Sequence, residues 1–492
     1  MWIAYIVGFA AACGAAMIFT PLVIRLAHAL KLYDPRSPRK MHTTPTPRVG
    51  GIAVFASMMT VTVATIFLDA RWDNVFAELK LRLAVLLGAS AFIFLVGVYD
   101  DVRGLRAIFK LLAQIVAALA VCAFGIRIDA VMGVDWMAGW IGWPITVFWI
   151  IAITNAVNLI DGLDGLAAGI CAAACAVIAA FSLYNGNHAM GLFMLILLGS
   201  LAGFLVFNFN PAKIFMGDGG SMFLGFFLAT ASLVCATKVT TLLGLAMPAL
   251  ALGLPLFDMF LSVVRRVLGR RSVFSADREH IHHRLVDMGL KHHHAVILMY
   301  VVTLVVTLAA MLMMFFRGGG ELIVFLVAFL VLISVFRVAG VLRFRRLYSQ
   351  VQQNIARSRE VRRERQAFES ARQRFQSAWT FEQWWRAVRR MARRMRFAQV
   401  RITYRLGEPA ETHTITYTNA AVASLPHEWM RVSIPLAASD EPGLQSVQID
   451  APIREPLETL GRRLTLFGRL LDEHTLANLP RPAAPREPAE RT

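Results

Sequence analysis

The sequence predicts an all-α polytopic membrane protein of about eleven transmembrane helices, N-terminus outside, followed by a C-terminal cytoplasmic helix and a small α+β domain. Composition is the first observation: of 492 residues, 57% are hydrophobic and only 17% charged, with a mean hydropathy of +0.57. A soluble globular chain is nearer half apolar and a quarter charged. The second is the uneven charge. Residues 1–340 hold 24 Lys+Arg and 16 Asp+Glu, whereas the much shorter 341–492 hold 26 and 16. The third is that the apolar runs are continuous rather than alternating, which selects helices over a barrel. A single soluble domain and a disordered chain are both excluded.

A span needs about 20 mostly apolar residues. That rule places spans at 3–28, 50–69, 82–99, 108–126, 138–156, 165–184, 189–207, 220–236, 240–263, 295–316 and 321–340. The first lacks a basic leader and a small-residue cleavage site, so it reads as a retained span. Basic residues crowd the loop after the first span (Lys31, Arg36, Arg39, Lys40, Arg48) and the loop after the ninth (Arg265 to Lys291). Positive charge marks the cytoplasmic side, which sets the orientation. The net +18 therefore suits anionic headgroups, and nucleic acid is not an expected partner. All five cysteines lie in apolar runs, so no disulfide framework is implied.

Domain boundaries follow from these shifts: 1–340 transmembrane, 341–398 an Arg-rich helical linker, 399–475 a small α+β domain, and 476–492 a Pro-rich disordered tail. Within the third, alternating runs at Val400–Arg405, Thr412–Thr418, Trp429–Pro435 and Gln445–Asp450 read as strands, and 455–473 as a helix. Docking or regulation is the plain reading of this domain.

With this topology Asp100, Asp101, Asp161, Asp164 and Asp218 converge on one membrane face. Carboxylates there are costly unless paired, hydrated or metal-bound. Adjacent Asp100 and Asp101 raise each other's pKa, which a cation would relieve. In Asn155–Gly165, Asn158, Asp161 and Asp164 would share one face if the stretch were helical. Phe207–Ser221 contains Asn208, Phe215 and a Gly-Asp-Gly-Gly-Ser turn opening a helix. Free N–H groups and the Asp218 carboxylate there would suit a phosphate and Mg²⁺. Asp277–Leu285 clusters His280, His282, His283 and Arg284, without a Cys to complete a zinc site. Imidazoles beside arginines suit a diphosphate. Lys40 and His42 lie in the basic loop that enters the second span. Taken singly, each cluster also reads as a solvated loop or packing. Together they suggest phosphoryl transfer between a soluble diphosphate and a lipid phosphate.

At these residues the chain resembles the polyprenyl-phosphate N-acetylhexosamine-1-phosphate transferases, a superfamily that includes the WecA-type initiators and the phospho-N-acetylmuramoyl-pentapeptide transferases. The resemblance covers about residues 31–340 and leaves 341–492 unexplained. His280-Ile281-His282-His283-Arg284 resembles the GlcNAc-1-phosphate branch, and Thr44–Gly51 departs from the pentapeptide branch's pattern. The resemblance implies Asp218 as the main Mg²⁺ ligand (Mn²⁺ serving as a substitute) and Asp100 and Asp101 as the catalytic pair at the acceptor phosphate. Asp164 counts among the catalytic carboxylates while lying on the uridine side with Asn158, Asp161, Asn208 and Phe215. It further implies His280, His282, His283 and Arg284 at the diphosphate and sugar, with Lys40 and His42 as weaker substrate contacts.

The implied reaction takes UDP-GlcNAc and undecaprenyl phosphate to undecaprenyl-diphosphate-GlcNAc and UMP, at the cytoplasmic face of a bacterial plasma membrane. Asp100 as base and Asp100 as nucleophile are both compatible with these residues. UDP-GalNAc, a deoxy-amino sugar or UDP-MurNAc-pentapeptide are alternative donors, and a second copy or a downstream glycosyltransferase is a further expected partner. A transporter would place acidic residues at mid-span, where Asp258 is the one carboxylate well inside an apolar run. A non-catalytic scaffold would tolerate loss of Asp218 or Asp101.

Overall fold

The computed structural model describes residues 2–33, 46–68, 80–128, 141–236, 241–269, 272, 280–316, 320–340, 352, 366, 368–406, 411–423, 428–435, 443–453 and 457–473. Lys40 and His42 lie outside them, as do most of 341–367 and the tail 476–492. The chain forms two compact units, Met1–Gln350 and Val351–Thr492.

The first unit is helical: α1 (Trp2–Ala29), α2 (Gly51–Leu68), α3 (Lys80–Arg103), α4 (Ala107–Ala123), α5 (Gly142–Ile160), α6 (Leu166–Tyr184), α7 (His188–Asn208), α8 (Gly217–Ala236), α9 (Thr241–Ala251), α10 (Gly253–Leu268), α11 (Ile281–Asp287), α12 (His292–Leu312) and α13 (Gly320–Val338). Among the described residues eight helices are long and apolar enough to cross a membrane: α1, α3, α5, α6, α7, α8, α12 and α13. The expected ninth span is instead a pair, α9 and α10, bent by 80°. Pro255 explains the break, because a continuous helix would need its missing N–H for the carbonyl of Ala251. The expected second and fourth spans, α2 and α4, are shorter apolar helices.

Helix α8 is the axis of the bundle, buried along its whole apolar window. Phe223, Phe226 and Phe227 are fully enclosed. Phe55 of α2 and Phe94 of α3 stack at 4.0 Å, and both meet Phe223 edge-on. Helices α1 and α7 approach through Gly199 and Gly203, one turn apart. A Cβ on Gly199 would sit 3.0 Å from the carbonyl carbon of Phe9, and one on Gly203 2.9 Å from Ala16 Cβ. Small residues at this spacing let helix backbones touch in lipid.

The second unit has its own core. Helix α14 (Phe381–Arg394) leads into β1 (Gln399–Leu406), β2 (Glu411–Thr418), α15 (Ala420–Ala423), β3 (Trp429–Pro435), β4 (Gly443–Pro452) and α16 (Leu457–Glu473). The strands pair antiparallel in the order β2-β1-β4-β3, each where the alternating sequence predicts one. Val400, Ile402, Val447 and Ile449 point to one face and pack with Trp384, Val388 and Met391 of α14 and Phe467 and Leu470 of α16.

Gly203→Leu should destabilise the bundle by about 1–3 kcal/mol through overpacking. Gly14→Ala, where a Cβ meets nothing within 4 Å, should be silent. Thermal unfolding in detergent compares them, and equal midpoints would count against the packing argument.

Candidate active site

The site is built around the first turn of α8. Helix α3 reaches that turn because Gly97, one turn before Asp101, has no Cβ; one would lie 2.6 Å from Gly219 Cα. Asp101, whose side chain is 1% exposed, then accepts two hydrogen bonds. The Asp218 N–H donates to Oδ1 (2.8 Å) and the Gly219 N–H to Oδ2 (2.9 Å). The amides expected to be free for a phosphate are therefore capped by Asp101. A carboxylate at a helix N-terminus satisfies orphan donors and complements the dipole.

Two cations complete the cluster. The backbone before α2 runs beside the entry to α8: Phe215 N–H donates to Pro47 O (2.8 Å), Gly50 N–H to Phe215 O (2.9 Å) and Gly51 N–H to Met216 O (2.7 Å). This pairing fixes Arg48, whose Nη2 donates to Asp218 Oδ1 (2.9 Å) and whose Nε lies 3.6 Å from Asp101 Oδ1. From α4, Lys110 Nζ donates to Asp100 Oδ2 (2.8 Å) and Asp218 Oδ2 (2.9 Å). Asp100 also accepts from the Leu105 N–H.

The Asn155–Gly165 stretch is helical only to Ile160. Gly165, at φ +77°, turns the chain into α6, so Asn158, Asp161 and Asp164 do not share one helical face. Asn158 Oδ1 accepts from the Ser221 hydroxyl of α8 (3.2 Å), and Asn155 Nδ2 donates to Gln114 Oε1 (2.6 Å). Asp161 accepts a hydrogen bond from the Gly217 backbone, and its carboxyl is pushed up to about 7. Burial is the main cause, and the charge of Asp218 adds to it. Asp164, 3% exposed, is a brace: its Oδ2 accepts from Asn210 Nδ2 (2.9 Å) and the Ala212 N–H (3.1 Å). Asn208 Nδ2 donates to Ile214 O (2.8 Å) in the same loop. Phe215 is half-buried. Tyr300 of α12 donates its hydroxyl to Gly165 O (2.5 Å) and holds the turn from behind.

The histidine motif begins at the N-terminus of α11. Asp258, buried in α10, contacts His280 Nδ1 through Oδ2 (3.0 Å) and accepts the Ile281 N–H on Oδ1 (3.1 Å). The mid-span carboxylate is thus the anchor of this loop. His280 and His282 lie parallel at 5.7 Å, and His283 tilts against His282 at 4.2 Å. His282, 2% exposed, rests on Gly162, where a Cβ would come 2.7 Å from its Nε2. Burial, then the neighbouring histidines, hold it well below the usual imidazole range. Arg284 is half-buried on α11. The motif therefore abuts the Asp161–Gly165 turn, which itself meets the α8 cluster through Asp161.

Four carboxylates (Asp100, Asp101, Asp161 and Asp218) surround two cations, Arg48 and Lys110. Fully ionised, they carry a surplus of two negative charges. Among the described residues no three His, Cys, Asp or Glu side chains form a ready-made metal cage. Mg²⁺ commonly binds one or two carboxylates and keeps waters and phosphate oxygens for the rest, so an all-oxygen donor set with surplus negative charge fits it. Lys110 and Gln114 were not among the sequence-based candidates. Their signal was available, since each interrupts an otherwise apolar helix.

A family model described as glycosyl transferase family 4 matches residues 83–236. The chain is 37% identical over 292 residues to a probable undecaprenyl-phosphate N-acetylglucosaminyl 1-phosphate transferase of Bacillus subtilis (strain 168), covering 58% of this chain and 78% of that one. The chain belongs to glycosyl transferase family 4. It is 34% identical to a decaprenyl-phosphate N-acetylglucosaminephosphotransferase of Mycobacterium leprae (56% and 74% covered). It is also 33% identical to a phospho-N-acetylmuramoyl-pentapeptide-transferase of Bacillus mycoides (46% and 73% covered). The family-4 chain is accordingly a multi-pass membrane phosphotransferase of the WecA-like branch.

Two predictions test this geometry. Asp101→Ala should cost about 0.5–2 kcal/mol by uncapping α8, measured as a lowered thermal midpoint; an unchanged midpoint would remove Asp101 from that role. An acid whose folded pKa is raised from 3.8 to about 7 favours the fold most below 3.8 and loses that contribution as pH rises through 7. Asp161→Asn stays neutral, so its thermal midpoint should gain on the parent between pH 5 and pH 8. A constant difference would contradict the raised value.

Proposed function

We propose that this family-4 enzyme transfers GlcNAc-1-phosphate from UDP-GlcNAc to undecaprenyl phosphate, the first membrane step of a cell-surface polysaccharide such as an O-antigen, capsule or exopolysaccharide. The observation that carries the reading is the gathering of Asp100, Asp101, Asp161 and Asp218 with Arg48 and Lys110 at the buried α8 terminus. An oxygen of the lipid phosphate attacks the sugar-bearing β-phosphorus. The bond from that phosphorus to the bridging oxygen breaks, and UMP leaves with the electron pair.

Asp218 would hold Mg²⁺ or Mn²⁺, which when bound offsets charge on the diphosphate. Lys110 and Arg48 supply positive field at the same place. Asp100 lies nearest the acceptor phosphate in this reading, and Asp101 positions α8 rather than exchanging protons. A phosphate monoester is already largely ionised at neutral pH, so little general-base work falls to Asp100. Asn158, Asp161, Asn208 and Phe215 belong to the uridine side, and Asp164 holds that loop closed. His280, His282, His283 and Arg284 belong to the diphosphate and sugar side, with Lys40 and His42 contributing from the basic loop.

Eleven membrane crossings, with the bent pair as one and α2 and α4 included, separate the two termini, and the basic loops then assign the N-terminus to the outside and the site to the cytoplasmic face of a bacterial plasma membrane. The domain limits 341–398, 399–475 and 476–492 belong to the same reading, with α14 of the Arg-rich stretch packed into the core of the α+β domain. A second donor, UDP-MurNAc-pentapeptide, is favoured by the similarity to the Bacillus mycoides pentapeptide transferase. The His-Ile-His-His-Arg motif favours UDP-GlcNAc.

Purified protein with Mg²⁺ and undecaprenyl phosphate should release UMP from UDP-GlcNAc and not from UDP-MurNAc-pentapeptide. Asp218→Ala should lower the rate at least about a hundredfold, as loss of a key electrostatic group does. Chelation by EDTA should stop turnover and Mg²⁺ restore it. Turnover of the pentapeptide alone would overturn the donor assignment, and silence with every UDP-N-acetylhexosamine would overturn the reaction.

A further inference from the structure

Helix α14 of the second unit has two faces of opposite character. Trp384, Ala387, Val388, Met391 and Ala392 are buried in that unit's core. Arg386, Arg389, Arg390, Arg393 and Arg394, at helical spacings of three and four, are exposed on the other. The helix contains one acid, Glu382, which lies 3.7 Å from Arg386; Arg394 donates to Ser370 Oγ. Among the described residues Arg389, Arg390 and Arg393 make no ion pair with a carboxylate. Beyond Lys291 every Lys/Arg position of the chain is Arg. A guanidinium presents a planar fork that matches two phosphate oxygens, where an ammonium is a point charge.

An aromatic residue stands at the start of the helix. Thr380 caps α14 by accepting the Gln383 N–H (3.3 Å), and Gln383 Oε1 accepts the Trp379 N–H (2.9 Å). This reciprocal cap fixes the Trp379 backbone, and its side chain is 76% exposed. A large amphipathic ring held in the open beside a row of arginines has the composition of a headgroup-level anchor. The chain that carries it is itself held in a bilayer by apolar helices. An anionic lipid surface is consequently present at high effective concentration whenever the protein is in place.

We propose that the arginine face of α14, with Trp379, docks on anionic phospholipid headgroups. Arg386, Arg389, Arg390, Arg393 and Arg394 pair with phosphate oxygens, and the Trp379 ring lies at headgroup level. The proposal concerns the second unit and is independent of which sugar nucleotide the first unit uses.

The test uses the full chain in nanodiscs carrying a trace of photoactivatable lipid, with adducts mapped by mass spectrometry. Lipid adducts on the apolar helices report reconstitution. With a phosphatidylglycerol probe in phosphatidylglycerol-containing discs, adducts should appear on 379–396. A phosphatidylcholine probe in neutral discs should give at least about fivefold fewer, the ratio expected for even one arginine at an anionic surface. About 1 M salt, which shortens screening to roughly 3 Å, should suppress them.

The combined Arg386→Gln, Arg389→Gln, Arg390→Gln and Arg393→Gln variant should lose the adducts, and the corresponding Arg→Lys variant should keep most of them. That pair separates charge from folding, because both alter the same exposed positions. Equal labelling by both probes, adducts unchanged in the Gln variant, or labelled spans with unlabelled α14 would each overturn the proposal. So would cross-linking of α14 to an acidic protein in place of lipid.

Discussion

The first unit depends on the two hydrogen bonds by which Asp101 holds the opening amides of α8. The first N–H groups of a helix buried along its apolar length need acceptors that the protein itself can supply. Asp101 supplies acceptors for two of them, but it brings a charge into a place where a bare charge is costly. Arg48 and Lys110 answer that charge and the neighbouring ones. Those cations are held in turn by other elements: Arg48 by the pairing of 47–51 with 215–216, Lys110 by α4. Each partner is therefore needed by another, and removing one leaves a buried group uncompensated.

This interdependence separates bracing from chemistry among the carboxylates. Asp101 and Asp164 both spend their oxygens on backbone or amide donors of the protein. Asp218 and Asp100 instead face mobile cationic side chains, Lys110 between them. Lysine and arginine side chains can swing away from a carboxylate at small cost when a phosphate or a divalent ion arrives. Backbone amides of a buried helix cannot. The groups able to exchange partners are thus Asp218 and Asp100, and the groups that keep them in register are Asp101 and Asp164.

Much of this was legible from residue pattern. Continuous apolar runs located the helices because lipid enforces internal hydrogen bonding and little else forms such runs. Alternation located all four strands of the second unit because one face of each covers α14 and α16. The clustering of Asp100, Asp101, Asp161 and Asp218 followed from counting spans. What pattern could not supply was the direction of individual side chains. Asn158, Asp161 and Asp164 look like one helical face at steps of three, yet Gly162 and Gly165 end that helix and turn Asp164 toward Asn210. The glycine-rich turn at 217–221 looks like an anion cradle, yet the anion is the protein's own Asp101. Lys110 reaches the site, and Gln114 meets Asn155 beside it, from a helix that carries no motif, so only their polarity in an apolar run marked them.

Asp258 shows why such isolated residues matter more than their number suggests. A carboxylate inside an apolar helix reads as a transport site when position along the span is the only information. In three dimensions α10 is the second half of a bent pair, and Asp258 lies where it contacts His280 and caps the start of α11 at Ile281. The bend at Leu252 is what allows a residue within an apolar run to serve the His280–Arg284 loop. A straight span would carry the same carboxylate along the bundle axis, with no histidine to meet. Pro255 and Asp258 are three residues apart, and one makes the other's role available. The proline breaks the span, and the carboxylate uses the direction that the break creates.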